Sequence, residues 1–486
     1  METNPKITNK RWDDEQFYKT RKEVLGRWAT GAEVDIEESA EYLKTLGENK
    51  FVVPKVLEAK EKGICLSQPR GGFPLLDDMI NLHKTLENEG DEHVLLPVTT
   101  DSYTRSERFA DVEKGLEFCR KGNKLGINGY PTVNHGVKNG RKLQEATNRP
   151  LYALGGNPLP CLNAEISIAS GFTGYLGSGI CVPVAYSKHV SIEQGIKNYQ
   201  YVDRLVSVYQ EKGISIYRET AGFLTWVLVP PSVEIALNTI DALLAAEQGV
   251  KYYGLGHSAQ LNFLQDAVAV AALTEICTEY LERFNYKDVN LFTTLLSYGG
   301  PFPENEALAY GTIGAVAAAA GLAGVQGVSI KTIDEAIAVP TEKNNAMATL
   351  VTRQVLNIIG KNRYPQTEEF KFEKELLKKE ARSILNRALE LGEGDVAKGA
   401  VIGFDHGILD CPWSPNLSVK GKVLGARDHT GAVRYLDPGN VPIPKEVMEY
   451  HKEQLDQKME KKKGISEYDS LVEDLMIIAK GQSLTF

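Results

Sequence analysis

The stretch ICLSQPRGGFPLLDDMI, residues 64–80, joins an apolar run to a Pro-Arg-Gly-Gly turn and then to a helix-forming segment. Arg70 stands where the run ends, which puts a full positive charge at the tip of a strand whose other residues read as buried. The theme recurs in GICLSQPR (63–70), HVLLPVTTDS (93–102), KLGINGYPTVN (124–134), PLYALGGN (150–157), GISIYRE (213–219), KYYGLGH (251–257), DVNLFTTLLS (288–297) and GVSIKT (327–332). Each is a short apolar run closed by polar or glycine-rich residues. Between them lie segments such as RFADVEKGLEFCRKG, VEIALNTIDALLAAEQG and ENEALAYGTIGAVAAAAGLAG, with apolar residues at helical spacing and a glycine near the end. Eight strand-helix units between residues 63 and 332 predict a TIM (β/α)8 barrel, an α/β fold that carries its reacting groups at the C-terminal strand ends. A doubly wound open sheet fits the same composition and stays open at this point.

Working outward, residues 1–60 read as a charged helical arm, 61–364 as the barrel and 365–486 as an α+β extension that opens with the helix TEEFKFEKELLKKEARSILNRALELG. The connection 158–212 is too long for a simple barrel loop. It holds a short helix (CLNAEISIAS), a glycine-rich stretch (GFTGYLGSGICVPVAYSK) and a longer helix, and reads as a pocket-forming loop. The run KMEKKKG from Lys458 reads as a solvated helix end.

Composition removes several classes of function. The balance of 55 basic to 64 acidic side chains gives a net charge of -9, opposite to what a phosphate-backbone binder carries, so nucleic acid is not an expected partner. The polar N-terminus has no apolar signal segment and no apolar run approaches a membrane span, which predicts a cytoplasmic protein without a membrane partner. The six cysteines are scattered, without a C-x-x-C pair, and predict reduced, buried thiols and no metal site. Phosphate-loop, dinucleotide, nucleophile-elbow and zinc-protease patterns are all missing.

Arg70 and Arg105, at adjacent strand ends, are placed either to grip carboxylates in bidentate fashion or to pair with a structural acid such as Asp101. INGYPTVNHG offers Asn128, Tyr130, Asn134 and His135 to a ligand. Lys331 and Glu335 in KTIDEA have the i, i+4 spacing of a surface salt bridge. The glycine pairs at 71–72, 155–156 and 299–300 allow close backbone approach to a ligand, or simply tight turns.

The motifs SQPRGG, TTDSYTR, INGYPTVNHGVKNGRK, LVPPS, ALLAAEQGVK, GGPFPENEALAYG, IKTIDEAIAVPT and VRYLDPGNVPIP, in this order and spacing, resemble the large epsilon subunit of glutamate mutase, also called methylaspartate mutase. The similarity runs almost end to end. It implies a barrel that caps adenosylcobalamin, carried by a small partner subunit whose D-x-H-x-x-G motif ligates cobalt, in a two-plus-two heterotetramer. This chain has no such motif; DHGILD and DHTG place Asp and His side by side instead. The implied reaction is a radical carbon-skeleton rearrangement, an isomerase activity, in which the cofactor supplies the radical and the protein supplies position.

The resemblance assigns Gly72, Asn128, Phe302, Lys331 and Glu335 to the cofactor, with Ala185 where the family has proline and Val339 at an apolar position. It turns the Lys331 and Glu335 spacing from a surface pair into a site near the adenosyl ribose. On the substrate side Arg70, Arg105 and Tyr186 match. The third arginine of the family's carboxylate grip is Leu154 here, its neighbouring histidine is Gly155, the ammonium-binding glutamate is Leu176 and a nearby tyrosine is Val182.

Losing one partner of a buried charge pair costs roughly 3 to 5 kcal/mol. Those changes therefore predict a carboxylic acid substrate without glutamate's free amino acid head. An ordinary glutamate mutase would need Glu165, Glu219 or His257 to take over the lost roles. The remaining alternative is a non-catalytic barrel that only binds the small subunit. No residue is singled out as directly catalytic.

Overall fold

Short runs of β-branched, aromatic and leucine residues form the strands, and the computed structural model describes residues 5–123, 126–220, 227–462 and 464–485. The strands are β1 (Leu66–Pro69), β2 (Leu96–Thr99), β3 (Leu151–Leu154), β4 (Gly174–Leu176), β5 (Tyr217–Glu219), β6 (Tyr252–Ser258), β7 (Asn290–Leu296) and β8 (Gly327–Ile330). They form one parallel sheet in the order β1-β8-β7-β6-β5-β4-β3-β2. The last gap, between β1 and β2, is spanned by a parallel bridge between Ser67 and Val94, where Ser67 N donates to His93 O at 3.1 Å and Leu95 N to Ser67 O at 2.9 Å. The sheet therefore closes on itself, which removes the open-sheet alternative and leaves the α/β barrel.

One strand is not where the sequence predicts it. Of 124–134, residues 124 and 125 lie outside the described residues. The rest is a loop that touches the barrel through a single bridge between Thr100 and Tyr130 and then enters the helix Thr132–Glu145. Gly129 at φ 119° and Pro131 break any ladder there. The barrel's fourth strand is instead Gly174–Leu176, from the glycine-rich stretch read as loop. Three residues, one of them glycine, are too few to show a period-two pattern.

The barrel interior is built in layers from alternate strands. Leu66, Tyr152, Tyr217 and Phe292, from β1, β3, β5 and β7, form an apolar layer closed at the bottom by Val52, Val53 and Val56 of the helix Val52–Lys62. One step towards the C-terminal mouth, the same strands contribute Gln68, Leu154, Glu219 and Thr294. The even strands make room for these side chains with glycines. A Cβ at Gly174 would stand 2.4 Å from the Tyr152 ring, at Gly254 2.1 Å from the Tyr217 hydroxyl, and at Gly327 2.8 Å from both Gln68 Nε2 and Thr294 Oγ1.

Helices surround the sheet, and the C-terminal helix Glu368–Leu391 packs across the barrel helices Pro231–Glu247 and Phe263–Arg283. A two-stranded antiparallel sheet, Leu424–Arg427 with Val433–Asp437, follows it. The helix Glu306–Ala323, which follows β7, is the single described helix long and apolar enough by composition to cross a membrane; here it packs against the helices Glu342–Ile359 and Phe263–Arg283. All six cysteines are free and buried. The run at Lys458 is not simply a solvated end: Lys458 is buried and donates to both carboxylate oxygens of Asp474 at 2.7 Å, because the helix Glu467–Met476 folds back over it.

Candidate active site

The C-terminal ends of all eight strands open on one mouth. Arg70 follows the last residue of β1, and Arg105 lies in a single 3-10 turn, Thr104–Ser106, just after β2. Asp101 does not neutralise Arg105 by ion pairing. Its carboxylate instead accepts the backbone N–H groups of Tyr103 and Thr104 at 2.9 Å each, fixing the turn, while Arg105 Nε donates to Thr100 O at 3.0 Å. The Arg105 guanidinium lies 5.5 Å from the centroid of the Tyr186 ring. Neither Arg70 nor Arg105 forms an ion pair among the described residues.

The electrostatics follow from that arrangement. Burial pushes Arg105 below the usual guanidinium range, with the like charge of Arg70 acting in the same direction and Tyr186 opposing. Burial raises the Tyr186 hydroxyl, while Arg70 and Arg105 pull it back down. The hydroxyl lies near Arg70 without a well-formed hydrogen bond. Two guanidiniums and a phenol that share a small volume with no acid between them lower their energy by taking up an anion.

Lys331, at the end of β8, is buried and pairs with Glu335 Oε1 at 2.9 Å; its ammonium stands 5.7 Å from the Phe302 centroid. Burial lowers the Lys331 pKa, Glu335 opposes, and Arg70 lowers it further. The pair thus faces the same mouth as Arg70. Phe302 is held from behind by an apolar cluster that includes Tyr298, Ile330 and Val433. Gly72 admits no side chain, since a Cβ there would meet Thr99 O at 2.6 Å and Gly129 Cα at 3.1 Å; its close approach is to the chain itself. Asn128 is exposed beside it, its Oδ1 accepting from Ser102 N at 3.4 Å, and Val339 is half exposed on the same part of the rim. Gly72 and Val339 both line a cavity of about 470 Å³ with Phe73, Leu75 and Ile127. The other residues of INGYPTVNHG serve the scaffold: Tyr130 is fully buried and stacks on His135 at 4.5 Å, His135 bonds Pro74 O, and Asn134 bonds Phe109 O and Glu113.

The neighbouring arc of the mouth, at β3 and β4, is aliphatic. Leu154 and Leu176 are register partners across β3 and β4, both packed on the barrel's interior cluster, and a Cβ at Gly155 would touch Leu176 O at 3.2 Å. Val182 and Ala185, on the helix Cys181–Tyr186, are buried in the main core around the barrel, so of that helix it is Tyr186 that meets Arg105.

Of the three groups that could replace lost charges, Glu165 is turned outward to Arg21 at 2.9 Å and Tyr201 at 2.5 Å. His257 is buried between Glu234 at 2.6 Å and Asp266 at 3.4 Å, and although burial alone would lower it, those acids lift it to about 10. Glu219 is the one inside the barrel. It pairs in register with Leu176 and accepts hydrogen bonds from Gln68 Nε2 at 3.3 Å and Thr294 Oγ1 at 3.2 Å, and burial pushes its carboxyl above the usual range.

The model of the family described as methylaspartate mutase E chain (MutE) matches residues 46–485. The chain belongs to that family. Among curated relatives, the glutamate mutase epsilon subunit of Desulfitobacterium hafniense is 42% identical over 98% of both chains. The glutamate mutase epsilon subunit of Treponema denticola is 40% identical over 97% of both. As a member of the methylaspartate mutase E chain family, the chain is a mutase subunit, and the clustered Arg70, Arg105, Tyr186, Lys331 and Glu335 are its candidate functional residues. Sequence reasoning alone missed the supports behind them: Gln68 and Thr294 around Glu219, and Arg218 and Asp241 behind the β4 loop. For Gln68, Thr294 and Arg218 the signal was the inward or outward phase of the strand, unreadable until the strands were placed; Asp241, on the helix Pro231–Glu247, had no local signal.

Proposed function

We propose that this chain is the catalytic subunit of an adenosylcobalamin-dependent carbon-skeleton mutase whose substrate is a carboxylic acid other than free L-glutamate. The observation that carries the reading is the pair Arg70 and Arg105, which meet around Tyr186 with no acid between them while Leu154 and Leu176 face the same interior. The guanidiniums would bind and orient the substrate carboxylate, and Tyr186 would pack against it and exclude water. The leucine side would accept an apolar substituent.

The residues present fit the cofactor. Lys331 and Glu335 form a preorganised donor-acceptor pair suited to sugar hydroxyls, and Phe302, Gly72, Asn128 and Val339 would complete the face that holds it, while Ala185, buried in the core, would support that face from behind. Adenosylcobalamin would supply the organic radical that begins the rearrangement. The closed barrel keeps solvent from whatever is held at the mouth. A small cobalamin-binding subunit with a D-x-H-x-x-G motif is the partner that goes with this reading, in a two-plus-two assembly in the cytoplasm.

Ordinary glutamate mutase is the second reading. It is favoured by the names of the relatives and by Glu219, a carboxyl on the same inner face as Leu176. The two readings separate in one experiment: the chain is combined with a small subunit and adenosylcobalamin, then offered L-glutamate and amine-free acids of similar length. Turnover of an amine-free acid, with a paramagnetic signal on mixing, supports the first reading. Efficient turnover of L-glutamate alone sinks it, and no signal with any acid leaves only a non-catalytic subunit.

A further inference from the structure

The turn that follows β4, Gly177-Ser178-Gly179, has one short side chain with which to hold itself, yet it leads directly into the helix that carries Tyr186. Gly177 has φ 137°, and a Cβ there would stand 2.2 Å from the Tyr199 hydroxyl, so the backbone is pressed against its neighbours. Two fully buried charges hold it from opposite sides. Arg218, on β5, donates from its guanidinium to Tyr175 O and, at 2.7 Å, to Gly177 O, with Asp203 at 2.8 Å balancing its charge. Asp241, on the helix Pro231–Glu247, accepts Ile180 N at 3.0 Å on one carboxylate oxygen and Cys181 N at 3.3 Å on the other, with Thr220 Oγ1 at 3.5 Å. A cation thus ties down the turn's carbonyls and an anion its N–H groups.

We propose that Asp241 is a positioning residue for the substrate pocket: by clamping the N–H groups of Ile180 and Cys181 it fixes the turn after β4, and through it the placement of Tyr186 against Arg70 and Arg105. The proposal rests on Tyr186 facing substrate, as argued above. Asp241 touches neither substrate nor cofactor. It acts through the backbone N–H groups of Ile180 and Cys181, with the Ser178, Cys181 and Thr220 side chains beside it, and both of its oxygens are needed. An asparagine there presents an acceptor to one N–H and a donor to the other, and an alanine releases both.

The first test needs no substrate, so it stands apart from the mutase reading. Hydrogen exchange is followed by mass spectrometry on the full chain and its Asp241→Asn and Asp241→Ala variants. Exchange in the peptide spanning 174–187 is expected to rise roughly tenfold in Asp241→Ala and less in Asp241→Asn, with the peptide of β6 unchanged. Unchanged exchange at 174–187, or faster exchange throughout the barrel, overturns the proposal; if Asp241→Ala does not fold, Asp241→Asn decides by the same reading. In the assembled enzyme KM is expected to rise about tenfold in Asp241→Asn with kcat within threefold. A fall in kcat at unchanged KM would count against positioning.

Discussion

The two sides of the barrel mouth are built on opposite terms. On the side of β8, β1 and β2 stand Lys331, Arg70 and Arg105: the charge of Arg70 lowers the other two, Glu335 is paired with Lys331, and Asp101 acts on Arg105 only from its turn. On the side of β3 and β4 stand Leu154 and Leu176, paired in register and satisfied by apolar contacts. The first side gains from a bound anion; the second is complete without a ligand. A molecule at this mouth is therefore oriented by charge at one end and by exclusion of charge at the other.

The largest expected break comes from the charged side. Arg105→Ala should lower kcat/KM for the substrate acid by about 3 kcal/mol, roughly 150-fold, since it removes a charge-assisted contact and leaves Arg70 alone to hold the carboxylate. Steady-state kinetics of the assembled enzyme would show it, and a loss under fivefold would mean that the arginines are not the anchor.

Placing a carboxyl on the aliphatic side tests the other term. Leu176→Glu should destabilise the chain by about 3 kcal/mol at neutral pH in urea unfolding, because the new acid is buried beside Glu219 with no cation on its rung. If stability were unchanged and L-glutamate binding improved, the apolar reading of this side would fail.

Glu219 sharpens the comparison through pH. Burial raises its folded pKa above the unfolded value, so the folded state holds the proton more tightly. Its contribution to stability is fully present below the ordinary carboxylate pKa and is lost as pH rises through the folded pKa. Glu219→Gln should flatten that decline, visible as urea midpoints that converge with wild type at acid pH and exceed it at neutral pH. The smallest effect is expected at the rim: Glu335→Gln should cost only about 0.5 kcal/mol of stability, because the Glu335 side chain is 35% exposed and solvent screens the pair, while cofactor affinity falls.

Seven of the eight apolar runs read from the sequence are barrel strands, legible because strand and helix periods are local properties of the chain; the run at 124–134 is not one of them. Arg70, Arg105, Lys331 and Glu335 were legible as strand-end groups for the same reason, and the family motifs supplied their pairing. The fourth strand was not, since Gly174–Leu176 is too short to show a pattern and owes its place to β3 and β5 on either side. The burial of Lys458 was hidden likewise, because its partner Asp474 arrives from a later helix.

By itself, then, the sequence determined the strand-helix alternation, the family resemblance and the charges at the strand ends, while closure of the sheet into a barrel came with the tertiary structure. Only the tertiary structure decided that Asp101 serves a turn rather than an arginine, that Glu165 and His257 face outward while Glu219 faces in, and that Arg218 and Asp241 grip one turn from two sides. Which face of a strand a residue takes, and which distant group it meets there, is set by closure of the sheet. A closed barrel brings β1 and β5 within hydrogen-bonding reach across its interior, a relation that no local spacing encodes.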